Sequence, residues 1–148
     1  MILYLDTSSL VKLYVEEDGS HDVRRLVDHA AVVTTSMVAY PEVRAALARR
    51  RRDRTLRPAH FATARRAFET DWPSYLAIQV TPAICREAGE YAERYRLRGF
   101  DAIHLACFAE AAGSAAGSAA GIEVQFSSFD DHLNRAARAL ARALGRRS

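Results

Sequence analysis

Four short apolar runs, each followed by a segment of helical periodicity and none joined to the next by a tight turn, constrain the fold of this chain more than any other feature. The runs are Ile2–Leu5, Val32–Thr35, Leu76–Val80 and residues 122–127 (IEVQFS). Strands separated by helix-length connections cannot pair as hairpins. They lie parallel, and a parallel sheet needs helices over both faces. The pattern predicts an α/β fold in three layers, helix–sheet–helix, around a parallel sheet of four or five strands.

The intervening segments supply the helices. Ser8 or Ser9 can cap a helix through Glu17, ended by Asp18-Gly19, and Ser20 a second to about Ala30. Ser36 opens a helix, bent at Pro41, that runs into an arginine-rich stretch. Residues 58–71 are helical, and Thr81-Pro82 starts a helix over 82–96. Asp101 begins another, to about Ala112, and the last runs from Asp130 to Leu144. The Gly/Ser/Ala repeat at 113–121 fits a loop extension. No linker interrupts the alternation, so residues 1–148 are expected to form a single domain.

Composition narrows the function classes. A chain of 148 residues buries roughly 70% of its unfolded surface, enough for a core without disulfides or a structural metal. No apolar run approaches a membrane span, and Ile2–Leu5 meets Asp6 too soon for a signal-peptide core. The expectation is a cytoplasmic protein without a membrane partner. Cys85 and Cys107, with no CxxC spacing, read as small buried hydrophobes. The net charge of +3 is mild, but Arg49, Arg50, Arg51, Arg52, Arg54 and Arg57 crowd one stretch, and Arg135, Arg138, Arg142, Arg146 and Arg147 crowd the C-terminus. Such clusters suit a polyanion such as RNA, and equally a solvated helix face.

Ligands of open α/β sheets bind beyond the carboxyl ends of the strands, which singles out certain acids. Asp6 follows the first run directly, Asp101 begins a helix, and Asp130 lies just past the last run. Glu42 sits in the helix after the second run. Given a suitable strand order, these acids share one sheet edge. Clustered carboxylates repel one another unless a cation holds them, and hard oxygens suit Mg²⁺ or Mn²⁺. Such an ion orients water and neutralises charge in phosphodiester hydrolysis. Taken singly, Asp6, Asp101 and Asp130 also suit helix N-caps, and Glu42 a surface. HExxH, GxSxG, GxGxxG and GxxxxGK[ST] are all absent.

The stretch Asp6-Thr7-Ser8-Ser9-Leu10-Val11-Lys12-Leu13-Tyr14 resembles the opening of PIN-domain proteins, and Ser36 through Glu42 to Arg49 resembles their second motif. Leu97-Arg98-Gly99 followed by Asp101-Ala-Ile-His104-Leu-Ala106 is the most specific match, and Ser127-Ser128-Phe129-Asp130 resembles the fourth. Four motifs in order over essentially the whole chain make it similar to the VapC-type toxins of bacterial toxin–antitoxin pairs. The resemblance implies a PIN-like domain that cleaves RNA with Mg²⁺, or Mn²⁺ in its place. Asp6 and Asp101 correspond to the principal metal-binding carboxylates, and Glu42 and Asp130 to the acids that complete the site. Ser8 and Ser128 match positions that often carry a hydroxyl. Asp131 adjoins Asp130 and stays open as its substitute. His104, one turn after Asp101, reads chiefly as a packed, hydrogen-bonded histidine beneath the site. The resemblance also implies a homodimer, neutralised by a VapB-like antitoxin whose segment crosses the active-site groove with an Arg among the carboxylates. Phe61, Phe68, Trp72 and Tyr75 are candidates for that groove and equally for the core.

Two other readings stand beside this one. A non-catalytic PIN module would hold RNA or a partner on the same scaffold. A Mg²⁺-dependent phosphate-handling domain would use Asp6 as its strand-end acid. Receiver domains, however, need a Lys near the last strand, and the only Lys here is Lys12. Aspartate-nucleophile phosphatases need Asp-x-Asp, where this chain has Asp6-Thr7-Ser8.

Overall fold

A computed structural model describes residues 1–117 and 122–145. In chain order the elements are β1 (Ile2–Leu5), α1 (Thr7–Val11), α2 (Ser20–His29), β2 (Val32–Ser36), α3 (Ala39–Arg52), α4 (Pro58–Asp71), β3 (Leu76–Ile78), α5 (Pro82–Tyr95), α6 (Gly99–Ala116), β4 (Val124–Ser127) and α7 (Asp131–Gly145). Among the described residues the sheet has four strands, all parallel, in the order β3-β2-β1-β4.

Alternation along β1 divides the core, since successive side chains of a strand leave on opposite faces. Leu3 and Leu5 are fully buried against α1, α2, α3 and α4. Tyr4 is fully buried on the other face, among residues of α5, α6 and α7. The first face holds the aromatic cluster of Phe68, Tyr14, Tyr40 and Trp72. Phe68 is buried there, and Phe61, Trp72 and Tyr75 pack against the same cluster, so these aromatics serve the core rather than a groove. Cys107 is buried as expected but Cys85 is exposed on α5, because its position faces away from the sheet.

Several boundaries differ from the sequence expectation, each for a local reason. α1 begins at Thr7 because Asp6, not Ser8 or Ser9, caps it by accepting from the Ser9 N–H, and it ends at Val11 instead of Glu17. β2 continues through Ser36, and α3 begins at Ala39, so Pro41 falls in the first turn, where no N–H partner is lost and no bend is needed. α6 starts two residues before Asp101 and runs into the repeat as far as Ala116. Residues 118–121 of that repeat, with Arg146 and Arg147, lie outside the described residues.

Gly19 precedes α2 at φ +89°, a conformation costly for any residue with a Cβ, and a Cβ there would lie 2.3 Å from the Phe129 ring. That ring is also covered by the Lys12 ammonium, 4.3 Å from its centroid. Gly19→Ala combines backbone strain with displacement of Phe129, so a loss of about 1–3 kcal/mol in urea unfolding is expected. A midpoint within error of the native protein's would show that Phe129 moves aside freely.

Candidate active site

The strand order places a topological switch point between β1 and β4: the chain leaves β1 in one direction for β2 and β3, then returns to the other side. Crevices at such points are where α/β sheets bind ligands. The register Leu5↔Ser127 brings the ends of the two strands level, and the Asp6 N–H donates to the Ser127 carbonyl at 3.1 Å.

All four predicted acids lie at helix N-terminal ends on this edge. Asp6 caps α1, and Glu42 and Asp101 sit in the first turns of α3 and α6. Asp130 immediately precedes α7 and accepts from the Leu133 N–H at 2.8 Å. The capping reading holds for Asp6 and Asp130, each of which accepts from a backbone N–H of the helix it precedes. The positive ends of four helix dipoles also offset the repulsion among these acids.

Asp6 is only 5% exposed. Its Oδ1 accepts from Ser8 Oγ at 2.7 Å and from the Ser9 N–H at 2.9 Å, and its Oδ2 accepts from Ser128 Oγ at 2.7 Å. Burial raises its pKa above the ordinary value, against the through-space influence of His104 and the hydrogen bonds from Ser128, Ser9 and Ser8 that lower it. Ser128 Oγ also accepts from the Asp130 N–H at 3.0 Å, so one hydroxyl joins Asp6 to the Asp130 backbone. Asp131, by contrast, is exposed at the first position of α7.

Glu42 belongs to a second network that the sequence does not reveal. Its Oε2 accepts from Thr7 Oγ1 and from His104 Nε2, the latter at 2.8 Å. The other ring nitrogen, Nδ1, lies 3.0 Å from the Tyr4 hydroxyl. Tyr4 is fully buried, and burial together with nearby Cys107 and Asp6 raises its pKa far above the ordinary range, so its hydroxyl keeps its proton. Donation from Tyr4 to Nδ1 leaves Nε2–H to donate to Glu42, which fixes the tautomer. Burial pushes the Glu42 carboxyl up, but the His104 and Thr7 hydrogen bonds together outweigh it and hold the pKa below the usual value. His104 is thus both packed, at 2% exposure, and in direct contact with the acid edge.

Asp101 and Glu42 line an open groove of about 530 Å³ with Arg98, Gly99, Phe100 and Ile103. Arg98 Nε donates to Asp101 Oδ2 at 3.1 Å. Thr7, Tyr4 and Arg98 are the contributors that sequence reasoning left unassigned, although Thr7 and Arg98 lie inside the quoted motifs. The Arg49–Arg52 cluster ends α3, about 10–15 Å along the helix from Glu42, and it does not line the groove.

Among the described residues, no three His, Cys, Asp or Glu side chains stand close enough to form a ready-made metal cage. Each acid is instead turned to a local donor. The donor set nonetheless suits a hard divalent cation. Glu42 Oε1, Asp101 Oδ1 and Asp130 Oδ2 accept no hydrogen bond among the described residues. The Asp6 oxygens are held mainly by hydroxyls that can rotate away. Among the described residues no helix is long and apolar enough to cross a membrane.

Residues 3–139 match the PIN domain. Ribonuclease VapC45 of Mycobacterium tuberculosis (strain CDC 1551 / Oshkosh) is 39% identical over 105 residues, 71% of this chain and 73% of that protein. Ribonuclease VapC49 of strain ATCC 25618 / H37Rv matches with the same identity and coverage. The crystal structure of M. tuberculosis VapC20, a sarcin-ricin loop cleaving toxin, has a TM-score of 0.66 over 90% of this chain and 94% of that one. At 20% identity that likeness speaks for the fold alone. By the match over almost its full length and by the identity of these relatives, the chain belongs to the PIN-domain family.

Proposed function

We propose that this chain is a metal-dependent endoribonuclease and the toxin of a toxin–antitoxin pair. It hydrolyses RNA phosphodiester bonds with Mg²⁺, or Mn²⁺ in its place, at a site made by Asp6, Glu42, Asp101 and Asp130. The observation that carries this reading is that acids from four separate segments sit at helix N-termini along one switch-point edge. The relatives named as ribonucleases support it.

Asp6 and Asp101 would hold the cation through carboxylate oxygens. Bound there, it supplies Lewis-acid activation of water and neutralises charge on the attacked phosphate. Glu42, kept ionised by His104 and Thr7, faces the groove with a free Oε1 and takes the proton from the attacking water. Asp130 is fixed by the Leu133 N–H and by its backbone link to Ser128, and it would complete the site by binding the cation or orienting water. The open groove admits an extended strand, and the acid edge equally suits an arginine from an antitoxin segment, which a guanidinium binds bidentately. The toxin is proposed to work as a homodimer with a VapB-like antitoxin as its inhibitor.

Purified, antitoxin-free protein is expected to give discrete products from total RNA in Mg²⁺ or Mn²⁺, and none in EDTA. Metal-independent products would overturn the mechanism. Metal-dependent RNA binding without cleavage would leave a non-catalytic PIN module.

A further inference from the structure

We infer that Arg98 is a two-position residue: it holds Asp101 while the site is empty of cation, and turns to a substrate phosphate when a divalent ion takes Asp101 from it. This rests on the ribonuclease reading above and extends it to a residue with no assigned role.

Arg98 is the N-cap residue of α6, its backbone extended and its side chain making no capping bond. The side chain is 83% exposed, yet its Nε sits 3.1 Å from Asp101 Oδ2. Its pKa is raised by the hydrogen bond and charge of Asp101, and further by the charge of Asp130. It is also the only cation among the described residues lining the groove beside Glu42 and Asp101. Arg98 therefore acts as the counter-charge of Asp101 at the groove.

An exposed ion pair of this kind is weak and exchanges readily. A divalent ion carries twice the charge and binds carboxylate oxygens directly, so it displaces the guanidinium and repels it from the site. A Cβ at the neighbouring Gly99 would meet nothing within 4 Å, so the segment beside Arg98 is uncrowded. The displaced fork remains at the groove wall, where a phosphate of the bound strand offers the bidentate partner it has lost. No chemical step is involved, only exchange of an anionic partner. Arg98 is accordingly a positioning residue for the strand.

The test compares the full-length wild-type protein with Arg98→Ala and Arg98→Lys. In Mn²⁺ calorimetry without RNA, Arg98→Ala should bind about two- to fivefold more tightly, because the competitor is gone. A short fluorescein-labelled single-stranded RNA of mixed sequence, followed by anisotropy, reads the other position. In Ca²⁺, Arg98→Ala should bind it about five- to tenfold more weakly, with a salt slope smaller by about 0.7, the signature of one lost phosphate contact. Arg98→Lys should keep that slope. In EDTA the Ala variant and the wild type should differ by less than about twofold. An equal loss in EDTA and in Ca²⁺ would make Arg98 a fixed RNA contact and overturn the exchange. Unchanged Mn²⁺ affinity would overturn the competition. Failure of the ribonuclease reading shows separately, as absence of cleavage by the wild type, because neither binding comparison depends on cleavage.

Discussion

Asp6→Asn is expected to lower RNA cleavage at least about a hundredfold in Mg²⁺ while leaving the melting temperature in EDTA at or above that of the wild type. The two effects have one cause. Asp6 is a buried carboxylate whose ionised form is disfavoured by desolvation, so its charge is retained at some cost to the empty fold. Asn keeps an oxygen for the Ser9 N–H that caps α1. The Ser8 and Ser128 hydroxyls that donate to Asp6 can turn to accept from the new amide. A carboxyl whose folded pKa is raised lends relative stability at low pH, and loses it as pH rises from the unfolded toward the folded value. The stability gap between Asp6→Asn and the wild type should therefore close as the pH falls through the raised pKa of Asp6. Thermal melts across that acid range, beside cleavage assays, read both halves. Full cleavage by a folded Asp6→Asn protein would remove Asp6 from the active site. A large drop in melting temperature at neutral pH would instead show that the carboxylate is mainly structural.

The second large effect concerns His104. Truncating it in His104→Ala removes a nearly fully buried ring and strands the Tyr4 hydroxyl, which is itself fully buried. Cavity and unsatisfied donor together should destabilise the protein by about 3–4 kcal/mol. A chain of this size would then melt roughly 6–16 °C lower. Glu42 would also lose the 2.8 Å hydrogen bond that helps hold its carboxyl ionised. The double variant Tyr4→Phe/His104→Leu separates packing from positioning. Replacing both polar partners with apolar groups of similar size should recover most of the stability, because no buried donor is left unmatched. Cleavage should stay low in the double variant, and the acid limb of its pH–rate profile should move up as Glu42 protonates more easily. Activity that returned together with stability would show that His104 serves packing alone.

Much of the fold was legible because its signals are local. β-branched and apolar runs, Thr81-Pro82 and the periodicity of residues 58–71 each report on a few neighbouring residues, and the elements other than α1 stand within a few positions of expectation. Errors fell where a tertiary partner overrode the local pattern. The β1–β2 pairing continues to Tyr4↔Thr34, and Thr35 Oγ1 reaches the Leu5 carbonyl at 2.7 Å, which keeps the second strand extended through Ser36 and delays α3. Cys85 and Cys107 have the same local chemistry, and only the packing of α5 and α6 separates the exposed one from the buried one.

The same division runs through the site. That Asp6 and Asp130 stand at helix starts after strands, and Asp101 near the start of a further helix, follows from the sequence alone, since capping preference and strand-then-helix alternation are short-range properties. The motifs also carried the family. Which helix starts become neighbours depends on the order β3-β2-β1-β4, which sets β4 beside β1 and closes contacts across 122 residues from Ser128 to Asp6. The Tyr4–His104 hydrogen bond spans 100 positions and the His104–Glu42 bond 62, distances at which no periodicity carries information. The sequence determined the elements, the acids they present and the local pairing of Asp101 with Arg98; the tertiary structure decided that Ser128 holds Asp6 and that Thr7 and His104 hold Glu42, because long-range packing sets those partners.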